Sequence, residues 1–264
     1  MARNIKTTRD YGFPRVDNKI KTTKAPLIGF EWEVPMDWEY AEGEDEDFAD
    51  YPYESKVCKS SYKYASNNGF NFHTECGCGE FASPVGNTVE VARRVARHLI
   101  EYTKTDPLYT MEDNPNNAGG IHVSVSDKDS AFHRDTFLNL KGLLNRKSSY
   151  EFIWEFSGRE RQEYQSSCYK EQARASCWDI NLGGYPWMKD DMLKNQSNRI
   201  EYRLWANFPE YLLPAIDFAH STYVFCRSSK EIPYLKDYKK WLFKTPGYKA
   251  LKEFKHADWS LIND

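Results

Sequence analysis

Three short stretches of the chain alternate strictly between polar and apolar residues, and this alternation constrains the fold more than any other feature. They are IGFEWEV (28–34), IHVSVS (121–126) and RIEYRLW (199–205). Successive side chains of a β-strand point to opposite faces, so each stretch predicts a strand with one buried face and one wet face. A fourth, shorter strand is predicted at GEFAS (79–83), where Pro84 ends it.

Helical patterns lie between these strands and after the last one. Thr88 is expected to cap an amphipathic helix that runs to about Lys104, with its arginines on the solvent side. Further helices are predicted over 131–145 and 149–156, and after Pro209 in segments broken by Pro214, Pro233 and Pro246. Together with these helices, the half-buried strands predict an α+β fold in which a mainly antiparallel sheet packs its apolar face on a helical layer.

The organisation of the chain follows from its length and its charge. A chain of 264 residues can form one large core. Residues 1–24 hold seven basic residues and two acidic ones and predict a basic arm, while residues 25–264 predict a single domain with a helical C-terminal part from about 209 to 264. Residues 37–50 hold eight acidic residues and no basic one, which is typical of a solvated loop.

Composition argues against several classes of protein. The net charge of -3 and the pI of about 6.1 argue against a nucleic-acid partner. The sequence contains no stretch of about 18 apolar residues of the kind that predicts a membrane span. Its N-terminus lacks the features of a signal peptide. We therefore expect a soluble protein of the cytoplasm.

Six cysteines in a chain of this length are too few for a disulfide framework, so reduced thiols are expected. A zinc site built from Cys58, His73, Cys76 and Cys78 is the alternative, although CxC is tighter than the usual ligand spacing.

The polar faces of the strands predict a site. If the strands pair in one sheet, their apolar faces must all turn to the same helices, which gathers the polar side chains on the opposite face. Carboxylates about 5 Å apart repel each other by roughly 3 kcal/mol at an effective dielectric constant near 20, so several of them together need cations. Carboxylates with one imidazole and a nearby arginine favour magnesium or manganese bound with phosphate. The residues on this face include Glu31, Glu33, Glu80, His122, Glu201 and Arg203.

These residues lie in motifs that resemble a known family. The motifs are the ExE of the first strand, GEFASP (79–84), GGIHVSVS (119–126), SGR (157–159), INL (180–182) and the ExR of RIEYRLW. Together, and in this order, they resemble the amidoligases of phages and bacteria, which are related to glutamine synthetase and glutamate-cysteine ligase. The resemblance covers about two thirds of the chain. It implies a fold like the catalytic domain of glutamine synthetase, with a curved, mainly antiparallel sheet, helices packed on one face and the active site on the other.

The resemblance also implies roles for individual residues. Arg203 matches the arginine that steadies the transferring phosphate, and His122 matches the histidine near the metal and the phosphates. Arg159 matches a loop arginine that we expect to bind phosphate or a substrate carboxylate. Asn181 matches a family asparagine that we assign to ATP binding, with a strand-end hydrogen bond as the alternative. The implied metal ligands are Glu31, Glu33, Glu80, His122 and Glu201.

Some positions stand apart from this assignment. Glu75 is a spare carboxylate near the second of these motifs and is more often solvated than ligating. Many members of the family have His-x-His where this chain has His122 and Ser124, which leaves the metal preference open between magnesium and manganese.

The implied activity is that of an ATP- and Mg²⁺- or Mn²⁺-dependent carboxylate-amine ligase that forms an amide through an acyl phosphate. Its substrates would be a small-molecule or peptide carboxylate and an amine, in the host cytoplasm if the chain is phage-encoded. Two alternatives remain: a phosphotransferase of the same fold, and a catalytically degenerate binding protein that uses the basic arm. The chain has neither a GxxxxGK loop nor a GxSxG elbow.

Overall fold

The strands form one antiparallel sheet. The computed structural model describes residues 26–35, 56–75, 78–105, 120–126, 136, 139–144, 146–158, 180–181 and 199–262. Its strands are β1 (Leu27–Pro35), β2 (Asn71–Glu75), β3 (Cys78–Ala82), β4 (Ile121–Ser126), β5 (Ile180–Asn181) and β6 (Arg199–Trp205). Within these ranges the sheet has the order β2-β3-β1-β4-β6-β5, and all neighbouring strands are antiparallel.

The described helices are α1 (Lys56–Asn68), α2 (Val89–Thr105), α3 (Tyr150–Ser157), α4 (Pro209–Ser228), α5 (Leu235–Lys244) and α6 (Lys249–Lys252). Residues 139–144 are also helical, and short 3-10 turns lie at Lys147–Ser149 and Trp259–Leu261. None of the helices in the described ranges combines the length and the apolar character needed to cross a membrane. Together, the strands and helices confirm the predicted combination of an antiparallel sheet with helices.

The hydrophobic core lies between the apolar face of the sheet and the helices. On β1, Phe30 and Trp32 are 2% and 0% exposed, whereas Glu31 and Glu33 on the other face are partly exposed, as the alternation predicted. Helix α4 packs across β4 and also contacts β1 and β6, while α2 packs on α4 and β1. Burial of the apolar face fixes the register, because a shift of one residue would turn the carboxylates into the core.

The start of α2 follows the prediction, but one of its arginines does not. The backbone N–H of Val91 donates to the Thr88 hydroxyl at 3.3 Å, so Thr88 caps the helix as expected. Arg94 is exposed as predicted. Arg93, however, is buried, and its Nε donates to Asp217 Oδ1 on α4 at 2.6 Å. A buried carboxylate on the neighbouring helix therefore turns this arginine inward.

The C-terminal segment is attached to the helical layer through the same carboxylate. Asp217 is fully buried, and its Oδ2 accepts a hydrogen bond from the backbone N–H of Leu251 in α6 at 3.3 Å. Burial raises the pKa of Asp217, while the charge and hydrogen bonds of Arg93 oppose this effect. Asp217 thus joins α2, α4 and α6.

The prediction that Pro214 breaks the C-terminal helices is wrong, because α4 runs through it from Pro209 to Ser228. Proline removes one helical hydrogen bond, here the one to the carbonyl of the exposed residue Glu210 in the first turn. Most of the helix is buried in the core, and packing of this kind outweighs local propensity. Pro233 and Pro246 do lie between helices, as predicted.

Helix α1 and strands β2 and β5 were not predicted from the sequence. Helix α1 and strand β2 lie between the acidic segment and β3, and β2 adds a strand beyond β3 at the edge of the sheet. The rings of Tyr62 and Phe72 meet edge to face at 5.0 Å and fasten α1 to the apolar side of β2.

Candidate metal centre

The register of the sheet gathers acidic and imidazole side chains on its polar face. Glu31 of β1 lies directly opposite His122 of β4, and Glu33 lies directly opposite Glu80 of β3. Glu201 of β6 lies opposite Ser124, two residues from His122 on the same face. The central strands β3, β1, β4 and β6 therefore place five predicted ligands side by side.

Glu31, His122 and Glu201 form a group that could hold a metal ion. Nδ1 of His122 lies 3.6 Å from Oε2 of Glu31 and 3.7 Å from Oε1 of Glu201. One ligand atom from each residue can be chosen such that all three lie within 4.8 Å of one another. Oxygen ligands about 2.1 Å from an octahedral Mg²⁺ lie about 3 Å apart when adjacent and about 4.2 Å apart when opposite. The separations of 3.6 and 3.7 Å fall between these two values, so the three side chains are close enough together to ligate one ion.

The imidazole of His122 carries the strongest indication of a missing partner. Its side chain is 3% exposed, yet within the described residues Nδ1 has no hydrogen-bond partner. The carboxylate oxygens at 3.6 and 3.7 Å lie beyond the usual hydrogen-bond range of about 2.7–3.2 Å. A buried polar atom without a partner is costly, and a cation between the three residues would satisfy it.

A β-bulge lies next to this imidazole. The register between β4 and β6 shifts between Ile121, which pairs with Trp205, and Val123, which pairs with Tyr202. His122 therefore faces two residues of β6, Arg203 and Leu204, instead of one. Bulges are common beside functional sites, where they redirect a side chain.

Hydrogen bonds on the apolar face of the sheet hold the strands that carry the ligands. The indole Nε1 of Trp32, which lies between the two glutamates of β1, donates to the carbonyl of Asn207 at 2.7 Å. The hydroxyl of Tyr202, between Glu201 and Arg203, lies 3.2 Å from the hydroxyl of Thr222 on α4. Burial raises the pKa of Tyr202 well above its usual value, so this phenol stays neutral.

Arg203 supplies positive charge at the edge of the group. Its Nη1 donates to Oε1 of Glu201 at 3.0 Å, and its side chain is 28% exposed. Arg203 therefore lies on the same side as Glu201, as the alternation of β6 predicted. A guanidinium of this kind has further N–H groups to offer an anion such as phosphate.

The carboxylates of Glu33 and Glu80 lie beside the metal group. Oε1 of Glu33 is 3.9 Å from Nε2 of His122, the ring nitrogen that does not face Glu31. Glu80 is 8% exposed, and its Oε2 lies 3.4 Å from Nε2 of His73 on β2. His73 was considered from the sequence only as a zinc ligand among cysteines. The alternation of β2, with Phe72 buried and His73 half-buried, is the signal that places it on this face.

The other predicted site residues lie outside the described residues or have no described side chain. Arg159 lies outside the described residues. Asn181 lies on β5 directly opposite Glu201, but its side chain is not described. The side chains of Glu75, Cys58, Cys76 and Cys78 are likewise outside the described set, so the zinc alternative remains a hypothesis.

Gly158, which precedes Arg159, has a left-handed backbone with φ 69°. A Cβ there would lie 2.5 Å from the ring of Tyr211, so this position requires glycine.

Comparison with known proteins adds little. No protein-family model matches the chain, and no curated protein matches it. The crystal structure of a bifunctional glutathione synthetase from Pasteurella multocida is similar over 82% of this chain, with 12% sequence identity and a TM-score of 0.42. The chain spans 39% of the length of that protein. A likeness this weak establishes neither the fold nor the chemistry of the present chain.

Proposed function

We propose that this protein is an ATP-dependent carboxylate-amine ligase whose metal centre lies on the polar face of the sheet. The observation that carries the proposal is the buried imidazole of His122, whose Nδ1 lies unpartnered between Glu31 and Glu201. Arg203 beside Glu201 adds a donor for a transferring phosphate. The order of the sequence motifs supports the amidoligase family and its chemistry over other metal-dependent reactions.

The donor set fits Mg²⁺ or Mn²⁺. Carboxylate oxygens suit both ions, and one imidazole is compatible with Mn²⁺ in particular. Glu31, His122 and Glu201 would hold one cation, while Glu33 and Glu80 would ligate a second. Bound cations of this kind neutralise the charge of the phosphate oxygens during transfer.

In the proposed reaction, an oxygen of the substrate carboxylate attacks the γ-phosphorus of ATP, and the bond from phosphorus to the ADP oxygen breaks. The amine then attacks the acyl carbon, phosphate leaves and the nitrogen loses a proton. Arg203 would contact the phosphoryl oxygens, where a planar guanidinium can donate two parallel hydrogen bonds. Asn181 of β5, opposite Glu201, and Arg159 are proposed to bind phosphate or substrate.

Hydroxylamine trapping tests this proposal. The full chain is incubated with ATP, Mg²⁺ or Mn²⁺ and a panel of amino acids, peptides and other carboxylates. An acyl phosphate is trapped by hydroxylamine as a hydroxamate, and ADP release is measured in parallel. We expect ADP and hydroxamate with the correct carboxylate, and dependence of ADP release on the amine when no hydroxylamine is present.

Glu201→Gln provides the matched test of the site, because it removes a ligand charge and keeps the shape of the side chain. We expect it to lose turnover while it remains folded by circular dichroism. ADP release without amine dependence and without hydroxamate would support the phosphotransferase alternative instead. A folded protein that releases no ADP with any carboxylate would favour the degenerate binding protein.

A further inference from the structure

His73 extends the group of potential ligands to the edge of the sheet. It lies on β2 directly opposite Glu80 of β3, which in turn lies opposite Glu33 of β1. The row His73, Glu80, Glu33 therefore crosses three strands at one level of the polar face. The adjacent row places Glu31 opposite His122.

The distance between His73 and Glu80 resembles the distances within the metal group. Nε2 of His73 lies 3.4 Å from Oε2 of Glu80, close to the 3.6 and 3.7 Å that separate Nδ1 of His122 from its two carboxylates. A spacing of this size is close to the separation of two neighbouring ligands on one cation.

Glu33 connects the two parts of the face. Its Oε1 lies 3.9 Å from Nε2 of His122, and its backbone position lies beside Glu80. Directly opposed side chains on antiparallel strands have Cβ atoms about 4.5–5.5 Å apart, so the carboxylates of Glu33 and Glu80 lie within reach of one shared cation.

We propose that His73 is a metal ligand that completes a second cation position with Glu80 and Glu33, and that its imidazole makes this position prefer Mn²⁺ over Mg²⁺. The inference rests on the proposed function to the extent that this face binds cations. Imidazole nitrogen binds first-row transition cations better than it binds Mg²⁺, which prefers oxygen ligands. An all-carboxylate position would lack this preference.

Electron paramagnetic resonance of Mn²⁺ tests the proposal without any turnover. The full chain is titrated with Mn²⁺, and the free ion is measured from its six-line spectrum. The same titration is repeated in competition with Mg²⁺. We expect two classes of Mn²⁺-binding site, one tighter than the other. His73→Ala should weaken Mn²⁺ binding at one of them at least about tenfold, because removal of even an outer-shell group at a metal site typically costs this much. Mg²⁺ affinity should change less than about threefold.

Two further variants separate ligation from other roles. His98→Ala removes an exposed histidine on α2 that contacts Asn68 and should leave Mn²⁺ binding unchanged. His73→Gln keeps an N–H group near Glu80 but has no imidazole nitrogen to donate. We expect it to fail to restore Mn²⁺ binding. Pulsed electron paramagnetic resonance of the wild type should show coupling of Mn²⁺ to the imidazole nitrogen of His73, and both His73→Gln and His73→Ala should lose that coupling.

The outcomes distinguish this inference from the proposed function. Unchanged Mn²⁺ binding in His73→Ala, or full recovery in His73→Gln, would show that His73 is not a ligand and would leave the His122 group intact. If the wild-type chain bound no Mn²⁺ at all, both the inference and the metal-dependent function would be wrong.

Discussion

Glu33→Gln should stabilise the protein in the absence of metal. Glu33 lies directly opposite Glu80, and directly opposed side chains on antiparallel strands have Cβ atoms about 4.5–5.5 Å apart. Two carboxylates about 5 Å apart repel each other by roughly 3 kcal/mol at an effective dielectric constant of 20. Solvent screens part of this repulsion, because the side chain of Glu33 is 14% exposed. Relaxation of the two side chains away from each other lowers it further. We therefore expect a net gain of about 1 kcal/mol, within the range for cross-strand pairs.

The assay is thermal unfolding in EDTA, followed by circular dichroism. A gain of about 1 kcal/mol raises the Tm of a chain of this size by roughly 2–4 °C. Added Mn²⁺ should raise the Tm of the wild type by mass action and raise that of the variant much less, since the variant has lost a ligand charge. In the presence of Mn²⁺, the difference in Tm between the two proteins should therefore become smaller or change sign.

Glu155→Gln is the matched control. Glu155 is an exposed residue of α3, away from the polar face of the sheet. Its replacement should shift the Tm by little and leave the response to Mn²⁺ unchanged. A lower Tm for Glu33→Gln in EDTA, or a full response of that variant to Mn²⁺, would refute the repulsion between ligands and the role of Glu33.

Three other variants address the site and the fold. Arg203→Lys keeps the charge but loses the planar fork, so turnover should fall about a hundredfold with little change in Tm, and wild-type turnover would refute phosphate contact. Asp217→Ala should lower the free energy of unfolding by about 3 kcal/mol in urea, because it removes the buried partner of Arg93 and leaves the guanidinium paired with the exposed carboxylate of Glu90, and a loss below about 1 kcal/mol would contradict that role. Burial lowers the pKa of His220 to about 4, so protonation favours the unfolded state between pH 6.5 and about 4. His220→Asn should therefore lose less stability than the wild type as pH falls through this window, and parallel curves would show that His220 does not contribute.

The two faces of the sheet were predictable because alternation and burial obey the same geometry. Phe30, Trp32 and Tyr202 are buried, and the carboxylates beside them in the sequence lie on the opposite face. The sequence therefore predicted that Glu31 and Glu201 share a surface. It also predicted the start of α2 from Thr88, whose hydroxyl satisfies a backbone N–H that the helix leaves open.

The features that the sequence did not predict depend on tertiary contacts. The bulge opposite His122 depends on how β4 and β6 pair, which no pattern within either strand reveals. The inward turn of Arg93 depends on Asp217, which is 124 residues away along the chain. Pro214 remains inside α4 because the packing of that helix outweighs one lost hydrogen bond. The alternation of β2 turns His73 to the polar face, but its position opposite Glu80 depends on the pairing of β2 with β3.

The proposed chemistry requires a divalent cation at His122 on the polar face of the sheet. Anomalous diffraction from crystals of the full chain grown with Mn²⁺ and a non-hydrolysable ATP analogue would locate this cation. We predict an anomalous peak about 2.0–2.4 Å from Nδ1 of His122 and from a carboxylate oxygen of Glu31 and of Glu201, with analogue phosphate near Arg203. A structure in which the analogue and Mn²⁺ bind elsewhere, and Nδ1 of His122 makes a hydrogen bond to a protein group, would contradict this prediction.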